Sequence, residues 1–133
     1  MSDPNRYTMP VPGQAPPPPF LSSAIVSNGM VYTSGALGMG SDGKMIEGPI
    51  ENRVTKIMDN LEAVLQAHGS GLQHVVKALI FITDYKNFDA INKVYTARMP
   101  VPPPARSCIG AATLPMGTDV EIEVIARVPG AKL

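Results

Sequence analysis

One arginine in this chain has the type and setting of an anion-binding residue. Arg106 follows a proline run and precedes small and apolar residues in PPARSCIGAATLP, residues 103–115. Its planar guanidinium grips a carboxylate with two parallel hydrogen bonds, which the lysine ammonium cannot do. The residues alone leave two interpretations open: a surface salt bridge at the start of a strand, or a receptor for an anion that is not part of the protein.

Two glutamates form the second chemically suggestive pattern. Glu121 and Glu123 alternate with apolar residues in VEIEVIA, residues 120–126. This period of two predicts a strand with both carboxylates on one face. One of the two glutamates is expected either to pair with Arg106 or to position a water molecule. The spacing of the residues does not distinguish between these roles.

The single cysteine, Cys108, is predicted to be structural. A cysteine nucleophile needs a base, usually histidine, and the two histidines, His68 and His74, lie far from it in the sequence. Free cysteine in an apolar setting behaves as a small hydrophobic residue. The histidines lack a convincing third metal ligand, so capping or surface roles are expected for them and no metal or other cofactor is predicted.

Composition argues against two classes of partner. Lys+Arg and Asp+Glu are equal at 11 each and aromatic residues make up 5% of the chain, so nucleic acid is not the expected partner. No apolar run approaches the roughly 20 residues of a spanning helix, and no membrane partner is expected. One cysteine and no secretory pattern predict a cytosolic location, with a mitochondrial one left open.

The elements that must position these residues follow a ββαβαββ order. Residues 1–19 are rich in proline and are predicted to be an extended or solvated arm, with a domain over residues 20–133. Two strands are predicted at 21–27 and 30–36 around Asn28-Gly29, followed by a helix that starts near Ile50 and has Gly69 as its cap. The next strand, at 75–84, has the apolar composition of a strand buried on both faces. A helix within 86–99, with Asn87 as its N-cap, and strands at 105–112 and 119–128 complete the order. Two helices cover only one face of such a sheet, so self-association is expected to cover the other.

Five ordered segments resemble the signature blocks of the Rid family, the reactive intermediate deaminases also described as endoribonuclease L-PSP proteins. The blocks are VYTSG at 31–35, NLEAVLQAHGS at 60–70, VVKALIFITDYKNFDAINKVY at 75–95, PARSCIGAATLP at 104–115 and VEIEVIA at 120–126. The resemblance runs from about Phe20 to Arg127. It implies a single chorismate-mutase-like α/β domain, a mixed sheet with two helices on one face, and a homotrimer with a site between subunits. It also implies cofactor-free hydrolysis of 2-imino acids, such as 2-iminopropanoate and 2-iminobutanoate, to 2-keto acids and ammonia.

The resemblance also assigns roles by position. Arg106 matches the arginine that binds the substrate carboxylate, and Glu121 matches the glutamate that positions water. Gly35 matches the glycine whose backbone approaches the ligand. Cys108 and Asn92 match pocket positions, the cysteine through its backbone.

Three positions depart from the family pattern. Phe20 and Ser22 stand where the family usually has tyrosine and glutamine, and Ala36 replaces a common glutamine. These changes predict a less polar pocket that favours less polar imines. They also keep a non-catalytic small-molecule or chaperone-like binder as an alternative. A ribonuclease or translation inhibitor is the other alternative, against which neutral charge and few aromatic residues count.

Overall fold

A computed structural model describes residues 3–131 and shows one six-stranded sheet. The spatial order of the strands is β1-β2-β3-β6-β4-β5, with β4 and β5 parallel and the other neighbours antiparallel. The strands are β1 Arg6–Tyr7, β2 Ala24–Ser27, β3 Met30–Thr33, β4 Val75–Ile82, β5 Ala105–Gly110 and β6 Val120–Arg127. The helices are α1 Ile50–Ala67 and α2 Phe88–Arg98. The predicted mixed α/β architecture is confirmed, with β1 as an additional short strand.

The β2–β3 hairpin forms where Asn28-Gly29 predicts it. Both residues have positive φ, 50° and 78°, which is the backbone that a two-residue hairpin turn requires. The strands are shorter than predicted because the chain leaves the sheet after Thr33. Ala36 then returns as an isolated bridge to Ile122 of β6.

Both helices pack on one face of the sheet, as predicted. The apolar stripe of α1 is buried at Ile50, Val54, Ile57, Met58, Leu61, Val64 and Leu65. It meets alternate residues of the sheet, including Ala78, Ile80, Ile122 and Val124, in one core cluster. Gly69 has a φ of 80° just after α1, as its predicted capping role requires. Asn87 is the N-cap residue of α2, as predicted, but its side chain forms no capping hydrogen bond. The Asp84 side chain accepts a hydrogen bond from the Lys86 N–H just before it.

The opposite face of the sheet, here called the open face, is covered by neither helix. In β4, Leu79 and Phe81 point to this face and are partly exposed, whereas Ile80 and Ile82 are fully buried. Within one chain β4 is therefore buried on one face only, and the burial of its other face by self-association stays a prediction. None of the helices within residues 3–131 is long and apolar enough to span a membrane.

The proline-rich arm is extended, as predicted, and most of its described residues are exposed, but it is also docked on the rest of the domain at several points. Arg6 and Tyr7 pair with β2, and Val11 is buried in the core. His68, at the end of α1, is also buried and bonds through Nδ1 to the Val64 carbonyl, at 2.7 Å. Its Nε2 accepts a hydrogen bond from the Met9 N–H at 2.9 Å. The boundary at residue 20 stays a prediction.

A paired arginine and aspartate join α1 to the segment before β6. Arg53 donates from Nε and Nη2 to the two carboxylate oxygens of Asp119, both at 2.7 Å. Its Nη1 also donates to the carbonyls of Ile46 and Gly48. The hydrogen bonds from Arg53 lower the pKa of Asp119.

We expect Asp119→Asn to lower the free energy of unfolding by about 2 kcal/mol near neutral pH, because it removes a two-point charged hydrogen bond. Since the folded-state pKa of Asp119 is depressed, this contribution is present above the unfolded pKa and is lost as pH falls through the folded one. Denaturant unfolding at several pH values measures it. Asp59→Asn, which removes the more exposed pair with Arg98, is the control and should cost under about 1 kcal/mol. Equal losses for the two variants would contradict this assignment.

Candidate functional site

Arg106 is held by neutral and aromatic groups. Its Nη1 donates to Asn92 Oδ1 at 2.7 Å. Its guanidinium carbon lies 5.0 Å from the ring centroid of Tyr95 and 5.6 Å from that of Phe88. Among residues 3–131, no carboxylate forms an ion pair with it. We call Arg106, Asn92, Phe88 and Tyr95 the arginine half of the candidate site.

The register of the sheet and the spacing of α2 assemble the arginine half. Arg106 pairs with Ala78 of β4, whose side chain points to the helix-covered face. Phe88, Asn92 and Tyr95 recur at intervals of four and three residues, so α2 presents them on one side. Burial raises the pKa of the Tyr95 hydroxyl, although the Arg106 charge opposes it. Tyr95 therefore stays neutral and leaves the positive charge of Arg106 uncompensated.

Cys108 lies two residues beyond Arg106 on the same strand and is partly buried. Burial raises the pKa of its thiol, opposed by the Arg106 charge. The Tyr85 hydroxyl donates to the Cys108 carbonyl at 2.6 Å. A raised pKa disfavours the thiolate that a nucleophile needs, so the geometry favours the predicted structural and backbone role.

Glu121 and Gly35 lie against each other on the open face. Glu121 pairs with Phe81 of β4, and Glu123 pairs with Leu79. A β-carbon added to Gly35 would lie 2.6 Å from both Cδ and Oε2 of Glu121. A side chain at this position would displace the carboxylate, which packs directly on the glycine backbone. We call Gly35 and Glu121 the glutamate half of the candidate site.

The electrostatic setting of Glu121 suits a proton acceptor. Burial raises its pKa, and the neighbouring charge of Glu123 raises it further. A glutamate with a raised pKa is a stronger base than an ordinary one once it is deprotonated. The carboxylate can therefore take a proton from a bound water molecule.

Phe20 lies in neither half within one chain. Its side chain is 83% exposed and lines a cleft of about 400 Å³ together with Arg6, Ser22, Tyr32 and Ser34. An aromatic side chain this exposed is available to a ligand or to another subunit. Ser34 directly precedes Gly35, so the cleft adjoins the glutamate half.

The two halves do not meet within one chain. Arg106 points to the helix-covered face, Glu121 points to the open face, and β4 separates their strands. The interpretation in which one of the glutamates pairs with Arg106 is not what the structure shows; Arg106 bonds Asn92 instead. The predicted residues thus form two clusters, Arg106 with Asn92 and Cys108, and Glu121 with Gly35.

Sequence reasoning missed three aromatic residues beside these clusters. These are Phe88 and Tyr95 of α2 and Tyr85 just before it, none of which the sequence marks as a site residue. The spacing of Phe88, Asn92 and Tyr95 contained the signal that α2 presents a common surface. The position of this α2 surface beside Arg106 depends on the tertiary structure. Within residues 3–131, no group of three or more His, Cys, Asp or Glu side chains is arranged to hold a metal ion.

Comparisons with known proteins place the chain in a family. Residues 13–128 match the family described as Endoribonuclease L-PSP. The chain is 43% identical over 108 residues to the protein mmf1, mitochondrial, of Schizosaccharomyces pombe, a match that spans 79% of this chain and 66% of that protein. It is 40% identical over 105 residues to the 2-iminobutanoate/2-iminopropanoate deaminase of Dermatophagoides farinae, spanning 78% of this chain and 82% of that protein.

The fold agrees with the sequence match. The crystal structure of yeast Mmf1 superimposes with a TM-score of 0.87 at 34% identity, covering 92% of this chain and 98% of that one. The family match covers all the residues of both halves. The chain therefore belongs to the endoribonuclease L-PSP family, the Rid family that its signature segments predicted.

Proposed function

We propose that this protein hydrolyses 2-imino acids to 2-keto acids and ammonia, in a site where the arginine half of one subunit meets the glutamate half of another. The observation that carries the proposal is the setting of Arg106. Its charge is fixed by Asn92 and two aromatic rings and has no carboxylate partner among the described residues. A partly buried, uncompensated guanidinium of this kind is a carboxylate receptor.

The proposed reaction begins with binding of the substrate carboxylate to Arg106. The protonated imine is electrophilic at its carbon, and Glu121 holds a water molecule beside it. As the water oxygen bonds to this carbon, its proton passes to Glu121 and the C=N double bond becomes a single bond. Glu121 returns the proton to the nitrogen. The C–N bond then breaks and ammonia leaves with the bonding electron pair as the hydroxyl oxygen forms the carbonyl. The hydroxyl proton passes through Glu121 to the ammonia, giving a 2-keto acid and ammonium.

This reaction needs positioning more than it needs covalent chemistry. Nitrogen is exchanged for oxygen without oxidation, so water is the only co-reactant. Holding an electrophile next to an oriented water removes an entropic cost that can reach several kcal/mol. The raised pKa of Glu121 supports its role as the acceptor of the water proton.

A homotrimer is the assembly that we propose. The open face carries partly exposed Leu79 and Phe81, and Val76 is 40% exposed at one end of β4. Covering this face with another subunit would bury apolar surface and bring a second chain close to Glu121. The placement of Arg106 and Glu121 on opposite faces of one chain supports this proposal, because a partner would let the arginine half of one subunit meet the glutamate half of another.

The pocket is expected to favour less polar imines because Phe20, Ser22 and Ala36 replace more polar family residues. Two relatives whose names state imine or reactive-intermediate deaminase activity support the reaction class. The cytosolic location stays a prediction. The name of the fission-yeast relative supports the mitochondrion as the alternative location.

A coupled assay tests the proposed function. A threonine dehydratase releases 2-iminobutanoate, semicarbazide competes to trap it, and the initial rate of semicarbazone formation is followed with and without this protein. We expect the protein to lower that rate by hydrolysing the imine first, since the 2-keto acid reacts with semicarbazide more slowly, and Arg106→Ala to restore it. A rate that the wild-type protein does not change would overturn the imine hydrolase and favour a non-catalytic binder.

The pH dependence of hydrolysis should report on Glu121. Protonated Glu121 cannot accept a proton from water, so kcat/KM should fall as pH drops through its raised pKa. Glu123→Gln removes one cause of that raised pKa and should move the acid limb to lower pH. A pH profile of kcat/KM for both proteins checks this. Glu51→Gln on α1 is the control, and an acid limb that stays in place in Glu123→Gln would contradict the assignment of Glu121 as the base.

A further inference from the structure

A second cleft lies between the docked arm and α1, away from the arginine half. It encloses about 360 Å³, within the usual range of small-molecule pockets, roughly 300–1,000 Å³. One wall is made by Lys56, Asn60 and Val64, which succeed each other at intervals of four residues along α1. We call this space the arm cleft.

Hydrogen bonds fix the other two walls of the arm cleft against α1. The Asn60 side-chain amide donates to the carbonyls of Leu37 and Met39, at 3.0 and 2.9 Å, and so holds the loop after β3. The Gln14 side chain donates to the Asn60 backbone carbonyl at 3.2 Å and so holds the arm. Burial of Val11 anchors the arm just before this point. The cleft is therefore formed before any ligand arrives.

The walls of the arm cleft are mainly apolar, with several serine and side-chain amide groups and one positive charge. Prolines 16–18 face Leu37, Met39 and Leu61 across the cleft. Lys56 also lines it, and within the described part of the chain Lys56 forms no ion pair. An apolar space with a single cation at its wall matches a ligand that has an apolar body and one negative charge.

We propose that the arm cleft binds a small amphipathic carboxylate, with its apolar body among the prolines, Leu37 and Met39, and its carboxylate on Lys56. The arm cleft adjoins the proposed imine site, because Gly35 of the glutamate half also lines it, but neither Arg106 nor Glu121 does. The proposal does not depend on imine hydrolysis. The prolines of the arm supply rigid apolar surface, which costs little conformational entropy when a ligand binds.

Calorimetric titration of the full-length protein with octanoate and with octanol tests the proposal. We expect octanoate to bind about fivefold more tightly than octanol, the contribution of a partly exposed ion pair. Lys56→Gln should remove this preference. Lys93→Gln, which neutralises an exposed lysine on the other helix, is the matched control and should keep it.

Amide chemical shifts locate the ligand. Octanoate should move the signals of Gly13 and Gly43, which line the arm cleft on two sides, and leave Gly110 near the arginine half unchanged. Three results would overturn the proposal: no octanoate binding at millimolar concentration, an unchanged preference in Lys56→Gln, or shifts at Gly110 in place of Gly13 and Gly43. The last result would place the carboxylate on Arg106.

Discussion

Arg106→Ala is expected to abolish most imine hydrolysis while leaving the fold intact. The substitution removes the proposed receptor for the substrate carboxylate, and loss of one partner of a charged hydrogen-bonded pair costs roughly 2–5 kcal/mol. This corresponds to a loss in kcat/KM of about 30- to 5,000-fold. Arg106→Lys keeps the charge but cannot form the two parallel hydrogen bonds to a carboxylate, so its imine hydrolysis should also be impaired. Dehydratase-coupled kinetics and thermal unfolding of each variant measure both effects.

The environment of Arg106 explains why stability should be spared. The side chain has no ion-pair partner among residues 3–131, so its removal leaves no carboxylate without its counter-charge. Arg98→Ala is the matched control, since Arg98 lies in the last turn of α2 and pairs with Asp59 outside the site. That variant should hydrolyse imines normally. If Arg106→Ala unfolds easily yet retains normal hydrolysis, Arg106 is a structural residue and the site assignment is wrong.

Gly35→Ala is expected to lower kcat about a hundredfold by displacing the Glu121 carboxylate. The new methyl group would lie 2.6 Å from Cδ and Oε2 of Glu121, so the carboxylate must move. A displacement of about 1 Å in a positioning group can reduce the rate by that factor. Because Arg106 is untouched, KM should change much less than kcat. Steady-state kinetics separates the two parameters.

Gly40→Ala provides the comparison for this variant. Neither glycine has a positive φ, and the added methyl at Gly40 would approach most closely Asp42 Oδ1, at 3.0 Å. Gly40→Ala should therefore retain normal kcat. Equal activity in the two variants would show that the contact between Gly35 and Glu121 does not position the catalytic carboxylate.

Local patterns in the sequence predicted most of the fold. The spacing of apolar residues defined α1, and Asn28-Gly29 defined the hairpin because both positions require positive φ. Alternation in β6 placed Glu121 and Glu123 on the same face. Each of these features depends on residues close together in the chain, which is why a single sequence reveals them.

The separation of the two halves could not be predicted in this way. The face to which Arg106 points depends on its parallel register with Ala78, and that of Glu121 depends on the antiparallel register of β6 with β4. Docking of the arm likewise depends on His68, which is 59 residues from Met9 in the sequence. Long-range pairing decides these contacts, and local composition suggested a solvated arm instead.

Mixing two inactive variants tests most directly whether the site is shared between subunits. Arg106→Ala and Glu121→Gln chains, with different tags, are unfolded and refolded together, and sedimentation equilibrium verifies that mixed trimers form. Random assembly of equal amounts gives about one site in four with both native residues. We predict that the mixture recovers about a quarter of the wild-type rate of imine hydrolysis, while each variant alone stays inactive. Mixed trimers with no more activity than the separate variants would contradict a site built from the arginine half of one subunit and the glutamate half of another.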